Sequence, residues 1–205
     1  MIEATLIEPR SPLAHRAPIG AEDTVRLAEI RLATLSILRG EADGLVGPVR
    51  DAFALDLPRE ACTAAQGDAA ACLWLGPDEW MLVSGTGEGD RHAALDDGIT
   101  GHHQRVEVSD HYTLIELRGA KARPLLSKLV PLDMHARAFA PGEVKGTALG
   151  AAVTTLWCVA DDVFRLTARR SYADYVWCLL AHSGREWGLP VQSPRGGERL
   201  TLPAA

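Results

Sequence analysis

The chain has 205 residues, 47% hydrophobic and 23% charged, the balance of a folded globular protein with apolar material for one large domain or two small ones. A net charge of −6, with no cluster of Lys and Arg longer than the pair Arg169, Arg170, excludes nucleic acid and anionic membrane surfaces as partners, because such binding draws its affinity from neutralised phosphate. No stretch approaches the roughly 20 apolar residues of a spanning helix, and residues 1–10 carry acidic groups where a secretory signal is basic and then apolar, so a cytoplasmic location is expected.

Residues 1–20 are rich in Pro and Ala and lack periodicity, and Pro9, Pro12 and Pro18 block a regular helix or central strand. The segment reads as an extended N-terminal arm, of the kind that lies along a partner. A first α+β lobe is expected over 21–108. It opens with a β-like run at 34–38 ending in Leu38, Arg39, Gly40 and continues into a helix-period segment followed by Leu55, Asp56. A hairpin comes next, its strands 70–75 and 79–84 turning at Gly76, Pro77, Asp78, where Pro presets φ and Asp bonds its own backbone. A short helix over 90–97 and a strand over 103–108 complete the lobe.

The second lobe, 109–192, repeats this order. A strand at 112–117 ends in Leu117, Arg118, Gly119, and a helix-period segment leads to Leu132, Asp133. A hairpin with strands 151–159 and 162–167 turns at Ala160, Asp161. The closing helix, 171–183, has Ser171 placed to cap it, Tyr172, Tyr175, Val176 and Leu179 at i, i+3, i+4 and i+7 as a stripe that buries one face, and Gly184 at its end. Residues 193–205 form an irregular tail.

The matching words Leu-Arg-Gly and Leu-Asp, and the parallel between Leu73, Trp74 with Asp78, Glu79 and Leu156, Trp157 with Asp161, Asp162, define an internal repeat. The expected fold class is α+β: two similar β-α-β-β-α lobes with antiparallel or mixed sheets and helices packed on one side.

Chemistry is hard to place on this frame. Gly85, Gly87 and Gly89 lie between a strand and a helix, but their spacing is not that of the dinucleotide fingerprint, no Lys-Ser/Thr follows, and Glu88 and Asp90 repel an anion. His102, His103 and His111 are not spaced as ligands, since neighbouring strand residues point to opposite faces. Ser84, Ser109 and Ser127 lack the context of an activated nucleophile, and His135 beside Asp133 reads as a hydrogen-bonded turn. Cys62, Cys72, Cys158 and Cys178 sit in apolar surroundings without a C-x-x-C pair and read as buried thiols. No catalytic, cofactor-binding or metal-ligating residue is assigned. Among the five tryptophans, Trp187 is the candidate for an interface anchor.

The run LWLGPDEWMLVS at 73–84 resembles the corresponding hairpin of sarcosine oxidase gamma subunits. The block from 108 to 188 is similar to that family in order and spacing, in the pieces 109–135, 139–157 and 169–189, and Ser11, Pro12, Leu13 in the arm also fit. The resemblance implies a fold related to the folate-binding T-protein of glycine cleavage. It implies a structural subunit without cofactor of its own, assembled with alpha, beta and delta subunits that hold FAD, FMN, NAD, tetrahydrofolate and zinc. The assembled enzyme oxidises N-methylglycine to glycine. Pro12, Leu13 and Trp187 are then the candidate interface residues. The alternatives are the gamma subunit of a related N-methyl amino acid dehydrogenase, or a folate-binding aminomethyltransferase-like protein.

Overall fold

The computed structural model describes residues 9–194. Its elements run in chain order β1 (Ile19–Ala21), β2 (Val25–Ile30), β3 (Thr34–Gly40), α1 (Ala42–Phe53), β4 (Ala64–Gln66), β5 (Ala70–Gly76), β6 (Glu79–Ser84), α2 (Gly89–Gly98) and β7 (His103–Glu107), then β8 (Tyr112–Arg118), α3 (Ala122–Ser127), β9 (Val144–Leu149), β10 (Ala152–Ala160), β11 (Val163–Arg169) and α4 (Ala173–Ser183). The fold is α+β, and every pairing in its two sheets is antiparallel.

The five-stranded sheet has the order β4-β5-β6-β3-β7 and the six-stranded sheet β1-β2-β8-β11-β10-β9. Setting β3 against β8, β5 against β10 and β6 against β11 superposes the two orders, so the internal repeat is a repeat of topology. The strand beside β3 is β7, which immediately precedes β8 in the chain; the strand beside β8 is β2, which immediately precedes β3. Each lobe therefore lends its neighbour a strand. The predicted first lobe, 21–108, does not follow the sheets: β2 lies within that range yet pairs with β8 through Leu27 opposite Leu117. The local pattern of β2, VRLAEI, carries no turn signal that fixes its partner, and apolar burial at Val25 and Leu27 decides the pairing.

Hydrophobic period explains the layering. In β10, Leu156 and Cys158 point outward beneath α3 and α4, while Trp157 points inward; in β5, Cys72 faces α1 and α2, while Ala71 and Leu73 face inward. The inner faces meet in a third core built from strands of both sheets, with Leu35, Met81 and Val83 against Leu114, Val144 and Trp157. The molecule is thus four layers, helices outside and the two sheets back to back. Along one side the sheets join: Thr63 bridges Glu143, Val144 N–H donates to Cys62 C=O at 2.7 Å, and Ala64 N–H donates to Gly142 C=O at 2.8 Å.

Two details of the closing helix differ from expectation. Residues 170–172 form a 3₁₀ turn, and Ser171 makes no capping bond. The buried face is Ala173, Val176, Trp177 and Leu180; of the predicted stripe Val176 is buried and Leu179 packs in part against the core, while Tyr172 and Tyr175 are exposed. Gly184 adopts φ −91°, which any residue tolerates, and a Cβ there would lie 2.4 Å from Leu189 Cδ1 and 2.6 Å from Leu125 Cδ1, so both leucines would have to shift to admit a side chain.

Candidate functional site

The two exchange connections, β2 to β3 and β7 to β8, meet at one end of the molecule beside the arm. Between them lies a cleft of about 460 Å³ lined by Ser11, Pro12, Thr34, Gly89, Asp110 and Arg170, among others. The guanidinium of Arg170 donates to Arg10 C=O at 2.6 Å and fixes the arm over the cleft. Beneath the arm, the carboxylate of Glu29, 3% exposed, accepts the hydroxyls of Thr113 at 2.7 Å and of Ser11, and Arg31 Nε lies 3.6 Å from its second oxygen. Both hydroxyls bond the same oxygen, and the second oxygen is buried without a hydrogen-bond partner among the described residues, its burial offset by the Arg31 charge at 3.6 Å.

The arm then turns and sinks Leu13 into the core of the second lobe. Leu13 is completely buried, so its predicted role as an interface residue is corrected: its side chain is spent on the chain's own interior. Arg16 locks the turn in place. Its side chain donates to Asp174 Oδ1, to Gln192 Oε1 at 2.7 Å, to Ser193 C=O at 2.8 Å and to Cys178 Sγ at 3.3 Å, and His15 Nε2 lies 3.0 Å from the same Asp174 oxygen. Trp177 Nε1 donates to Gln192 Oε1 at 3.0 Å, so one guanidinium ties residues 10–16, α4 and the start of the tail together. The predicted tail is otherwise outside the described residues.

Pro12 is half-buried and lines the cleft. Trp187 is half-buried on a 3₁₀ turn at Arg185–Trp187, with Lys128 Nζ 4.1 Å from its ring centroid and paired with Glu186. The two lie apart in the fold, on the arm and beyond α4.

The cleft brings Asp90, Glu107 and Asp110 together with Arg10 and Arg170. Gly87 and Gly89 line it, but Glu88 and Asp90 stand at the start of α2, so the residues present do not fit the pyrophosphate of a dinucleotide. Among the described residues no group of three His, Cys, Asp or Glu side chains could hold a metal ion. His102 is exposed, His103 Nδ1 lies 3.1 Å from the Gly101 carbonyl and its Nε2 3.8 Å from Asp96 Oδ1, and His111 stacks edge-on against Tyr112. Asp133 Oδ1 accepts the His135 N–H at 2.9 Å in a turn, as its spacing indicated.

Two clusters carried no sequence signal. His92 is fully buried on α2, with Nε2 2.7 Å from Ser84 Oγ and Nδ1 2.9 Å from Ser36 Oγ, and Phe53 packs edge-on against the ring at 4.9 Å. Burial first, then the charges of Arg105 and Arg91, lower its pKa to about 4. Ser84 therefore has an imidazole partner; the imidazole is fully buried, and Ser84 borders a cavity of about 200 Å³, so the pair is a packed polar bridge between α2 and the sheet with its serine end at a small cavity. The second cluster lies between the sheets, where Glu116, 7% exposed, receives Arg118 Nε and Arg165 Nε, each at 2.9 Å, and Arg165 covers the Trp157 ring. Each cluster takes one partner from far along the chain, Ser36 for His92 and Arg165 for Glu116, which spacing cannot reveal. Burial raises the thiol pKa of Cys72, Cys158 and Cys178 and keeps them protonated at neutral pH.

This two-lobed antiparallel architecture is one shared with aminomethyltransferases. The structure of glycine cleavage system aminomethyltransferase T from Bartonella henselae superposes with a TM-score of 0.61 at 14% identity, over 80% of this chain and 47% of that one, a likeness of fold alone. The family model of the sarcosine oxidase gamma subunit matches residues 39–186, and the chain belongs to that family. The sarcosine oxidase subunit gamma of Corynebacterium sp. (strain P-1) is 30% identical over 194 residues, covering 89% of this chain and 94% of the relative. A chain of heterotetrameric sarcosine oxidase from Corynebacterium sp. U-96, solved in complex with pyrrole 2-carboxylate, superposes with a TM-score of 0.79 at 26% identity, over 90% of this chain and 99% of that one.

Proposed function

We propose that the chain works as the gamma subunit of a heterotetrameric sarcosine oxidase, an architectural part of a complex whose chemistry takes place elsewhere. The observation that carries this reading is the near-complete superposition on one chain of the solved heterotetramer, at a TM-score of 0.79 and covering 99% of that chain.

In this reading the partners are alpha, beta and delta subunits in the cytoplasm. FAD, FMN, NAD, tetrahydrofolate and zinc are held by them, and electrons pass from N-methylglycine to flavin and oxygen outside this chain. Pro12, beside the cleft, and Trp187, beyond α4, are proposed as contact residues, because both present half-buried apolar surface next to charged groups, the composition of an interface rim. Among the described residues no helix is long and apolar enough to cross a membrane.

The test is capture of the tagged chain from its native lysate. Three further subunits, a flavin spectrum in the eluate and sarcosine-dependent peroxide release are expected. A single colourless protein that binds tetrahydrofolate in calorimetry would replace this reading with the aminomethyltransferase-like one.

A further inference from the structure

The free edges of the two sheets are not alike. β1 and β4 are three residues each, and β7 carries Gln104, Arg105 and Glu107, so short length or charge protects three of the four. β9 is six residues long and ends Gly-Thr-Ala-Leu, with no proline, bulge or charge after Lys145.

The direction of its backbone groups follows from one bond. Val144 N–H points away from β10, because it donates to Cys62 C=O, while Glu143 C=O points toward β10 and accepts from Cys158 N–H. Antiparallel pairing alternates, so Gly146 and Ala148 also direct their N–H and C=O groups outward. The pairing begun by residues 62–64 stops at Val144, and Gly146 and Ala148 are exposed. Next to this edge, Val153 opposite Ala148 is 71% exposed on an uncovered stretch of the inner sheet face.

We infer that the outer edge of β9 at Gly146–Ala148 is a docking rail for an extended segment of another subunit, which continues the strand pairing that Cys62 and Ala64 start and lays an apolar side chain on Val153. Backbone groups in a row select an extended chain as the occupant, since only a strand satisfies alternating donors and acceptors. Small residues on the rail let that chain approach, and the absence of charge there leaves an apolar segment as the match. The inference rests on the subunit reading above, which supplies a different chain as the occupant.

Amide hydrogen exchange, measured on the full chain alone and in the complex captured from its lysate, tests this. Gly146 and Ala148 amides are expected to exchange at unprotected rates in the free chain and at least about 10-fold more slowly in the complex. Ala148→Lys, at an exposed edge position whose backbone groups point away from β10, is expected to leave the melting temperature of the free chain unchanged and to cut recovery of the complex by about 10-fold, as a charge placed on an edge strand does. A complex that forms with these amides unprotected, or that tolerates Ala148→Lys, overturns the rail and leaves the subunit reading standing. Protection that grows with concentration in the free chain overturns it in favour of a second copy, and a chain that captures no other subunit overturns the subunit reading and the rail together.

Discussion

The backbone N–H of Gly119 donates to the carbonyl of Asp162 at 2.9 Å, and in the other lobe Gly40 donates to Asp78 at 3.1 Å. In each copy the glycine that ends a Leu-Arg-Gly strand is held by the turn of the following hairpin, so the repeated words in the sequence are repeated because the same corner must be built twice. Gly119 has φ +111°, and a Cβ on it would meet Thr24 O at 2.6 Å and Glu22 O at 2.8 Å.

Gly119→Ala is therefore expected to destabilise the fold by about 3 kcal/mol, combining a disfavoured backbone angle with a clash against main chain that cannot rotate away. Gly87→Ala serves as the comparison, since Gly87 has a similar φ of +83° and open space around it. Urea denaturation of both variants decides the matter: equal losses would mean that the contact with Thr24 and Glu22 contributes nothing.

Acidification should weaken the first lobe. His92 has a folded pKa of about 4 against an ordinary imidazole value of 6.5. The unfolded chain binds the proton more tightly, so stability present above pH 6.5 is lost as pH falls toward 4, by on the order of 3 kcal/mol. His92→Asn should flatten the stability curve between pH 6.5 and 4. An unchanged slope would show that carboxylates, not this imidazole, set the acid limb.

Arg16 ties residues 10–16 to α4 and to Gln192 and Ser193. Removing it takes the guanidinium from Asp174 and from the Gln192 amide oxygen in a half-buried setting, leaving His15 and Trp177 as their remaining partners, and Arg16→Ala is expected to cost about 2 kcal/mol and to expose the bonds near residue 16 to limited proteolysis. Proteolysis at the wild-type rate would show that Leu13 alone anchors the arm.

Strand exchange makes the lobes one cooperative unit. Trp80 reports the first lobe and Trp177 the second, both fully buried. Phe substitutions that leave one or the other as reporter should give denaturation curves with the same midpoint and steepness. Two separated midpoints would mean that β2 and β7 are dispensable trimmings.

The hairpins 70–84 and 151–167, the helices 90–97 and 171–183, and the α+β class were legible because each rests on local signals: turn residues at fixed places, period-2 burial, a helical stripe. The partner of β2 was not legible, because VRLAEI states only that a strand or helix is amphipathic, and its choice of β8 over the adjacent β3 is made by Val25 and Leu27 finding cover in the second core. Leu13 was read as a free arm residue for the same reason: the prolines around it reveal extended backbone but not the cavity that receives it. The candidate cleft, the Ser36–His92–Ser84 bridge and the Arg118–Glu116–Arg165 cluster are products of tertiary folding: the bridge joins β3, β6 and α2, and the cluster joins β8 and β11.

The exchange also sets an order on how the molecule comes into being. As the chain is synthesised, the five-stranded sheet can close as soon as β7 has emerged, because all its strands lie before Glu107. β2, complete at Ile30, has only the three-residue β1 to pair with until Tyr112 and its successors appear. For that whole interval Val25 and Leu27 lie open on a nascent chain, and the ribosome-bound stage is when this protein has most need of a chaperone.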